Sequence, residues 1–358
     1  MPALDGVRGL AILLVLWHHV YMKPAHGWRN FVYQLNHASW VGVDLFFVLS
    51  GFLITGILFD SLHRQDYFRR FYRRRALRIF PLYYGVLITL LLLSAPLGLH
   101  WSGRQWLLLT YTQNVGLREP FVFDLSNSIS LNHFWSLAIE EQYYLLWPVI
   151  VWLVRDKIKL VWIALGLSAA ALALRFWMAA HTNASFVLTS TPTRADALLI
   201  GSATALLSRS YWRWILRKYA GVTLAISCSA ILATAIIAGG FEWWNRPVET
   251  LGFTLTALAC AALIAIVTRQ PSRISSILEN KALRFFGKYS YGLYVWHAFI
   301  YAGLRMRFTA RVGAVTADLM CVGLTLAVSL ASYHGFEKWF LRMKERKAAP
   351  VRPAALYA

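Results

Sequence analysis

The chain has 358 residues, of which 58% are hydrophobic and 15% charged, and its mean hydropathy is +0.50. Soluble domains carry about 25% charged residues, so this composition excludes an ordinary water-soluble fold and predicts an all-α polytopic membrane protein. A net charge of +20 would suggest nucleic acid on a soluble protein; here the basic residues collect in loops on one membrane face, so no nucleic-acid partner is expected.

Apolar windows fall near 7–22, 40–60, 79–98, 134–154, 158–180, 193–208, 218–239, 249–267, 286–304 and 315–338. They predict about ten transmembrane helices around a central cavity. With a cytoplasmic N-terminus, the inside loops hold Arg64–Arg78, Arg155/Lys157/Lys159, Arg209–Lys218, Arg269–Arg284 and Arg342–Lys347. Both termini are therefore expected to be cytoplasmic, with Arg305, Arg307 and Arg311 as the one awkward outside cluster. The first window is short, but no A-x-A cleavage site follows it, so it reads as an uncleaved helix. Residues 1–341 read as one membrane domain and 342–358 as a short basic cytoplasmic tail. The connection 99–133 is expected to be partly ordered. Cys228, Cys260 and Cys321 lie in apolar windows without metal spacing, so neither a disulfide framework nor a metal site is expected.

The first window carries Arg8 and His19 eleven residues apart, three helical turns and about 16 Å along one face. Ionisable groups at membrane depth usually face an aqueous or functional cavity. A neutral imidazole is a suitable general base for a hydroxyl, and a nearby carboxylate can orient it. By depth, Asp44 of the second window and Glu140/Glu141 of the fourth are candidate partners for His19, with a structural His–carboxylate pair as the alternative. His18 points about 100° away and reads as a packing residue. Seven arginines stand between 64 and 78; Arg75 and Arg78 are i, i+3 neighbours that present two guanidinium forks for phosphate oxygens. Pro81 is expected to reset the chain at the membrane surface. Anchoring on anionic lipid explains the same loop by itself.

Ser136, Glu140 and Tyr144 share a helical face at i, i+4, i+8, with Glu141 beside it. A hydroxyl there could donate to a developing oxyanion, and a helix-start role explains the same residues. Arg194/Asp196 and the segment Lys288–His297 (KYSYGLYVWH) open the sixth and ninth windows, where cavity lining and helix-end anchoring compete. Trp101, Trp106, Phe121, Phe123, Trp243 and Trp244 suit sugar stacking or, more simply, an interfacial aromatic belt.

These segments in this order resemble the acyltransferase-3 family of membrane O-acyltransferases. The resemblance rests on LDGVRGLAILLVLWHH with Arg8 and His19, GVDLFFVLSGFLITG at 42–56 and RRALRIFPLYY at 74–84. WSLAIEEQYYLLWP at 135–148 and GKYSYGLYVWH at 287–297 complete it, so nearly the whole chain is covered. The resemblance implies transfer of an acetyl or other short acyl group from cytoplasmic acyl-CoA, most simply acetyl-CoA, to an extracytoplasmic hydroxyl. It implies catalysis at His19, around which depth and helical face set Asp44, Ser136, Glu140 and Glu141 as candidates. Arg75 with Arg78 matches the family's donor-side Arg-x-x-Arg motif and Arg8 its first-helix arginine; Arg74 and Tyr83 join them as donor-side candidates. Carbohydrate or glycolipid acceptors are implied, a macrolide-like small molecule among the options, in a bacterial cytoplasmic (inner) membrane with lipid around it. Many family members add a further helix and an SGNH hydrolase domain, which this sequence does not show, so no second enzyme is expected to pass the acyl group on. A covalent acyl-histidine relay and the oligomeric state stay open. The competing reading is a transporter of acylated glycans or anionic metabolites with a buried proton relay, although no paired Gly/Pro-broken helices support it.

Overall fold

The computed structural model describes residues 1–24, 26–101, 103–115, 124–126, 129–268 and 272–345. Arg118, Phe121, Phe123, Arg269 and the tail from 346 to 358 lie outside the described residues. Ten long helices occupy the ten apolar windows among the described residues: α1 (Pro2–His18), α2 (Val41–Asp60), α3 (Tyr67–Leu92), α4 (Trp135–Val154) and α5 (Lys157–His181), followed by α6 (Thr191–Ser208), α7 (Arg213–Ala238), α8 (Phe253–Val267), α9 (Lys281–Val312) and α10 (Ala314–Ser332). A π-helical turn, Val248–Gly252, leads into α8. The 99–133 connection contributes a 3-10 helix at Gly103–Thr110 and a short antiparallel pairing of Asp124–Ser126 with Ile129–Ser130.

Seven helical segments are long and apolar enough to cross a membrane by length and composition. Those seven do not include α1, α6 or α9. α1 has only 17 residues, α6 carries Arg194 and Asp196, and α9 carries Lys281, Arg284, Lys288 and Arg305. More than half of the residues of α1 and of α6 are buried inside the bundle, the setting in which polar groups are tolerated in a membrane.

Several boundaries differ from the sequence expectation. The basic segment is not a loop: α3 starts at Tyr67 and runs unbroken through Pro81, so Arg75 and Arg78 ride into the bundle on one continuous helix. α9 extends to Val312, which turns the awkward outside arginines into helix; Arg305 pairs with Asp318 of α10 at 2.6 Å. α1 stops at His18, and its last carbonyls are closed by Asn36, whose amide donates to the carbonyls of Trp17 and Val20.

Arg209 pairs with Asp60 at 2.9 Å, and Met1, Arg213 and Arg217 share a cleft with them. Arg73 donates to the carbonyl of Met343. Both ends of the described chain therefore lie on one basic face, from which α1 and α9 run toward the opposite face.

Glycine permits two crossings in which long helices touch backbone to backbone. A Cβ at Gly9 would stand 1.9 Å from the carbonyl oxygen of Leu283, and one at Gly287 would stand 1.8 Å from that of Asp5, so α1 and α9 touch backbone to backbone. At the α2–α6 crossing, a Cβ at Gly51 would lie 1.9 Å from the carbonyl oxygen of Leu198. Membrane helices associate through such small-residue contacts because lipid supplies no hydrophobic drive between them. Gly51→Ala is expected to cost about 1–3 kcal/mol of stability, since backbone cannot yield cheaply. Gly166→Ala, with nothing within 4 Å of the new methyl, should be neutral or gain up to about 1 kcal/mol of helix propensity. Unfolding of both variants in detergent, followed by circular dichroism, checks the contrast.

Candidate active site

Three cavities follow one another along α9. The first opens on the basic face, where Arg8, Arg78, Lys281, Arg284 and Lys288 surround a mouth relieved only by Asp5. Arg8 and Arg78 also line the second, a deeper chamber that contains Arg75, Ser136, Glu140 and Tyr294 among apolar walls from α2 such as Phe46, Phe47 and Leu53. The third lies beyond, lined by His18, His19, His133, Arg194, Trp243, Tyr294 and His297. Helix geometry orders them: the mouth uses positions 281–288 of α9, the middle chamber 290–294 and the far chamber 294–305. That stretch spans about 36 Å along the axis, close to a bilayer's thickness.

His19 stands just past the last turn of α1, and its Nδ1 lies 2.9 Å from the carbonyl oxygen of Val15. A carbonyl only accepts, so Nδ1 carries the proton in that bond and Nε2 keeps its lone pair. The ring next to it is His297, with centroids 4.5 Å apart, and His133 follows at 5.4 Å from His297. His297 donates from Nδ1 to the carbonyl of Tyr294, and His133 from Nε2 to that of Val295. The remaining nitrogen of each is buried without a partner. Three imidazoles thus each present one unprotonated nitrogen in one small volume. Sequence spacing did not reveal this trio, because His297 comes to His19 through the α1–α9 contact and His133 comes to His297 from the turn that precedes α4.

The carboxylates expected around His19 are elsewhere. Asp44 is fully buried and forms an ion pair with Arg194, whose guanidinium also stacks on Phe253 at 3.9 Å. Asp196 pairs with Arg175 at 2.8 Å, and Arg175 also donates to the carbonyl of Thr193 at 2.5 Å. All four side chains are essentially inaccessible to solvent, so Arg194 and Asp196 are not helix-end anchors but half of a neutral buried quartet. Arg194 keeps Nε and Nη1 without partners and lines the far chamber. Glu140 faces Arg8, Arg75 and Arg78 in the middle chamber, and Glu141 is buried with Oε1 unpartnered. Glu140 lines the middle chamber while His19 lines the far one, and α4 sets Glu140 beside Arg75 and Arg78 of α3 rather than toward α1.

Ser136 lies in the wall, bonded to the Tyr294 hydroxyl, rather than free to meet an oxyanion. Tyr144 shares its helical face and is bonded to Ser50 and Arg75; the Arg75 guanidinium lies 4.0 Å from the Tyr144 ring centroid. Arg74 is half-buried and lines none of the three cavities. Tyr83 is fully buried, stacked on Tyr111 at 4.3 Å, and donates to the carbonyl of Leu108, so its ring is structural. His18, expected to pack, is on the far-chamber wall. Among the outer tryptophans, Trp243 is on that wall too. No group of three or more His, Cys, Asp or Glu suited to a metal ion occurs among the described residues.

The buried ion pair carries its own test. Asp44→Ala and Arg194→Ala should each destabilise the chain by about 3–5 kcal/mol, because the surviving charge is left unpaired in an apolar interior. The double variant should lose clearly less than the sum. Denaturation in detergent measures the cycle; additive losses would mean the pair does not interact.

The family profile described as "Acyltransferase domain" matches residues 1–334. The peptidoglycan O-acetyltransferase OatA of Listeria monocytogenes is 30% identical over 337 residues, which cover 83% of this chain and 49% of that protein. The provisionally named peptidoglycan O-acetyltransferase YrhL of Bacillus subtilis is 28% identical over 330 residues, covering 83% and 48% of the two chains. A provisionally named O-acetyltransferase of Staphylococcus aureus is 27% identical over 384 residues, covering 99% of this chain and 59% of its own length. The chain thus spans about half the length of the first curated relatives it matches. No solved structure matches it. With a family profile that covers all but the last 24 residues and a helical fold built around buried polar chambers, the chain belongs to the acyltransferase-3 family of multi-pass membrane O-acyltransferases.

Proposed function

We propose that this protein transfers an acetyl or other short acyl group from cytoplasmic acyl-CoA to a hydroxyl of a surface carbohydrate on the opposite side of the membrane. The observation that carries the reading is the line of three chambers from a cationic mouth on the basic face to the unprotonated nitrogen of His19. In this reading the basic face is cytoplasmic, as the loop charges favour, and all ten long helices cross the bilayer.

Acyl-CoA enters at the mouth, where five basic side chains match its phosphates. Guanidinium forks and ammonium groups are the side chains suited to phosphate oxygens. Lys281, Arg284 and Lys288 replace Arg74 in this role. The pantetheine arm lies through the middle chamber past Arg8, Arg75 and Arg78. Lys288 and His297 are about 14 Å apart along α9, a rise that such an arm spans.

In the far chamber the acceptor hydroxyl gives its proton to His19 Nε2 as its oxygen attacks the thioester carbonyl carbon. The C–S bond then breaks, the proton passes from the imidazolium to the leaving thiolate, and an ester and free CoA result. The unpartnered Nε and Nη1 of Arg194 are the donors best placed to face an oxyanion or an acceptor oxygen there. His297 and His133 stand where a neighbouring carboxylate was expected. The names of the relatives favour a peptidoglycan-like sugar, and Trp243 offers a face for a sugar ring.

The test uses oriented proteoliposomes with acetyl-CoA on the basic-face side and chitotetraose on the other. Acetylated oligosaccharide and free CoA on the basic-face side are expected in equal amounts. His19→Ala should lose at least 100-fold in rate, within the usual range for a positioned base, while acetyl-CoA affinity by isothermal titration stays within about threefold. Retained turnover in His19→Ala, or solute movement without CoA release, would overturn the reading. Lys281→Ala and Lys288→Ala should each weaken acetyl-CoA binding about tenfold at low salt, less as salt screens the mouth. Unchanged affinity in both would return the mouth to a simple topology anchor.

A further inference from the structure

Ser290, Tyr294 and Ala298 follow one another at i, i+4 and i+8 on one face of α9. Ser290 lines the middle chamber, Ala298 the far chamber, and Tyr294 both. On the facing helix α2, Val43 also lines both. Among the described residues, these two are the only ones that the two chambers have in common. One phenol ring and one isopropyl group therefore lie at the boundary of the two chambers.

The ring is held in place by its hydroxyl. Tyr294 donates to the carbonyl of His133 at 2.9 Å and is bonded to Ser136 Oγ. Its edge meets Phe46 of α2, with centroids 6.5 Å apart. The carbonyl of Tyr294 in turn accepts from His297, the neighbour of His19. Both hydroxyl bonds are between neutral groups, so net they are modest and can be given up when a donor occupies the middle chamber. Each anchor, Ser136 and His133, sits at the start of α4, on the wall between the chambers.

We propose that Tyr294 closing against Val43 is the barrier between the donor and acceptor chambers, and that the thioester reaches His19 only when this ring swings aside. Closed, it keeps bulk water of the acceptor side from the donor chamber. Open, it admits a chain as thin as the pantetheine arm and rejects acyl groups that branch next to the carbonyl. The barrier rests on the chamber geometry, and its role in acyl selection rests on the acyltransferase reading above.

The experiment reads the barrier without any acyl transfer. Cys228, Cys260 and Cys321 are replaced by alanine, and Ser290→Cys or Ala298→Cys is introduced as a reporter in oriented proteoliposomes. A membrane-impermeant cationic thiosulfonate is added from one side at a time. Ala298→Cys should react from the acceptor side and Ser290→Cys only from the basic-face side. Adding Tyr294→Ala, or independently the milder Val43→Ala, should speed acceptor-side labelling of Ser290→Cys at least tenfold. Acceptor-side labelling of Ser290→Cys with Tyr294 and Val43 intact would overturn the barrier, and so would continued protection in both opened variants. Monodispersity and acetyl-CoA affinity establish that each variant is folded. In the transfer assay, the rate ratio of isobutyryl-CoA to acetyl-CoA should rise about tenfold in the opened variants, the scale set by one or two carbon atoms in a pocket. An unchanged ratio in labelled-open protein would remove the selective role and leave the barrier. Absence of any acetyl transfer by the unsubstituted chain would instead remove the enzymatic reading, with the labelling result still standing.

Discussion

The backbone-close crossing of α1 and α9 is the contact on which the rest of the site depends. Gly9 and Gly287 remove the side chains that would hold the helices apart, since a Cβ at either would meet a carbonyl oxygen within 2 Å. Because the helices lie so close, Arg8 reaches the mouth built by Lys281, Arg284 and Lys288, and His19 reaches His297 three turns further on. A looser crossing would leave the arginine and the histidine on one helix and the chamber walls on another. The glycine contacts therefore set the alignment of donor mouth and reactive imidazole, quite apart from their share in stability.

A second constraint is the cost of burying charge. Arg175, Arg194, Asp44 and Asp196 occupy the core between α2, α5 and α6 as a quartet of zero net charge. Such pairs contribute little net stability compared with apolar packing, but they are very costly to break. Arg194 is the exception within the quartet, because two of its buried nitrogens have no partner and the residue also lines the far chamber. One arginine thus joins the framework to the far chamber, with Asp44 fixing its orientation.

The chambers differ in chemistry along the path. The mouth is cationic, the middle chamber combines Arg8, Arg75 and Arg78 with Glu140 and apolar α2 side chains, and the far chamber holds imidazoles and Trp243. That gradient suits a substrate whose one end is anionic, whose middle is a slender amphipathic chain and whose other end is a small reactive group. Like α1, α9 contributes to all three, which explains why its sequence KYSYGLYVWH mixes basic, aromatic and small residues instead of reading as a simple span.

The sequence by itself determined that the chain is a helical membrane protein, placed a helix in each apolar window, and put Arg8 and His19 on one face. Those properties depend on local hydrophobicity and the 3.6-residue period, which act within a segment. Only the tertiary structure decided the partners. Position along α2 and α4 makes Asp44 and Glu140 candidate partners of His19, but the fold gives one to Arg194 and sets the other a chamber away beside Arg75 and Arg78. Tyr83 and Arg74 sit within the right motif and still face away from the path, whereas Lys281, Arg284 and His297 come to it from the other end of the chain. Which face of a helix meets which neighbour is set by non-local packing, chiefly by where glycines let backbones approach. One sequence without its fold holds the positions along each helix but not the rotations between helices.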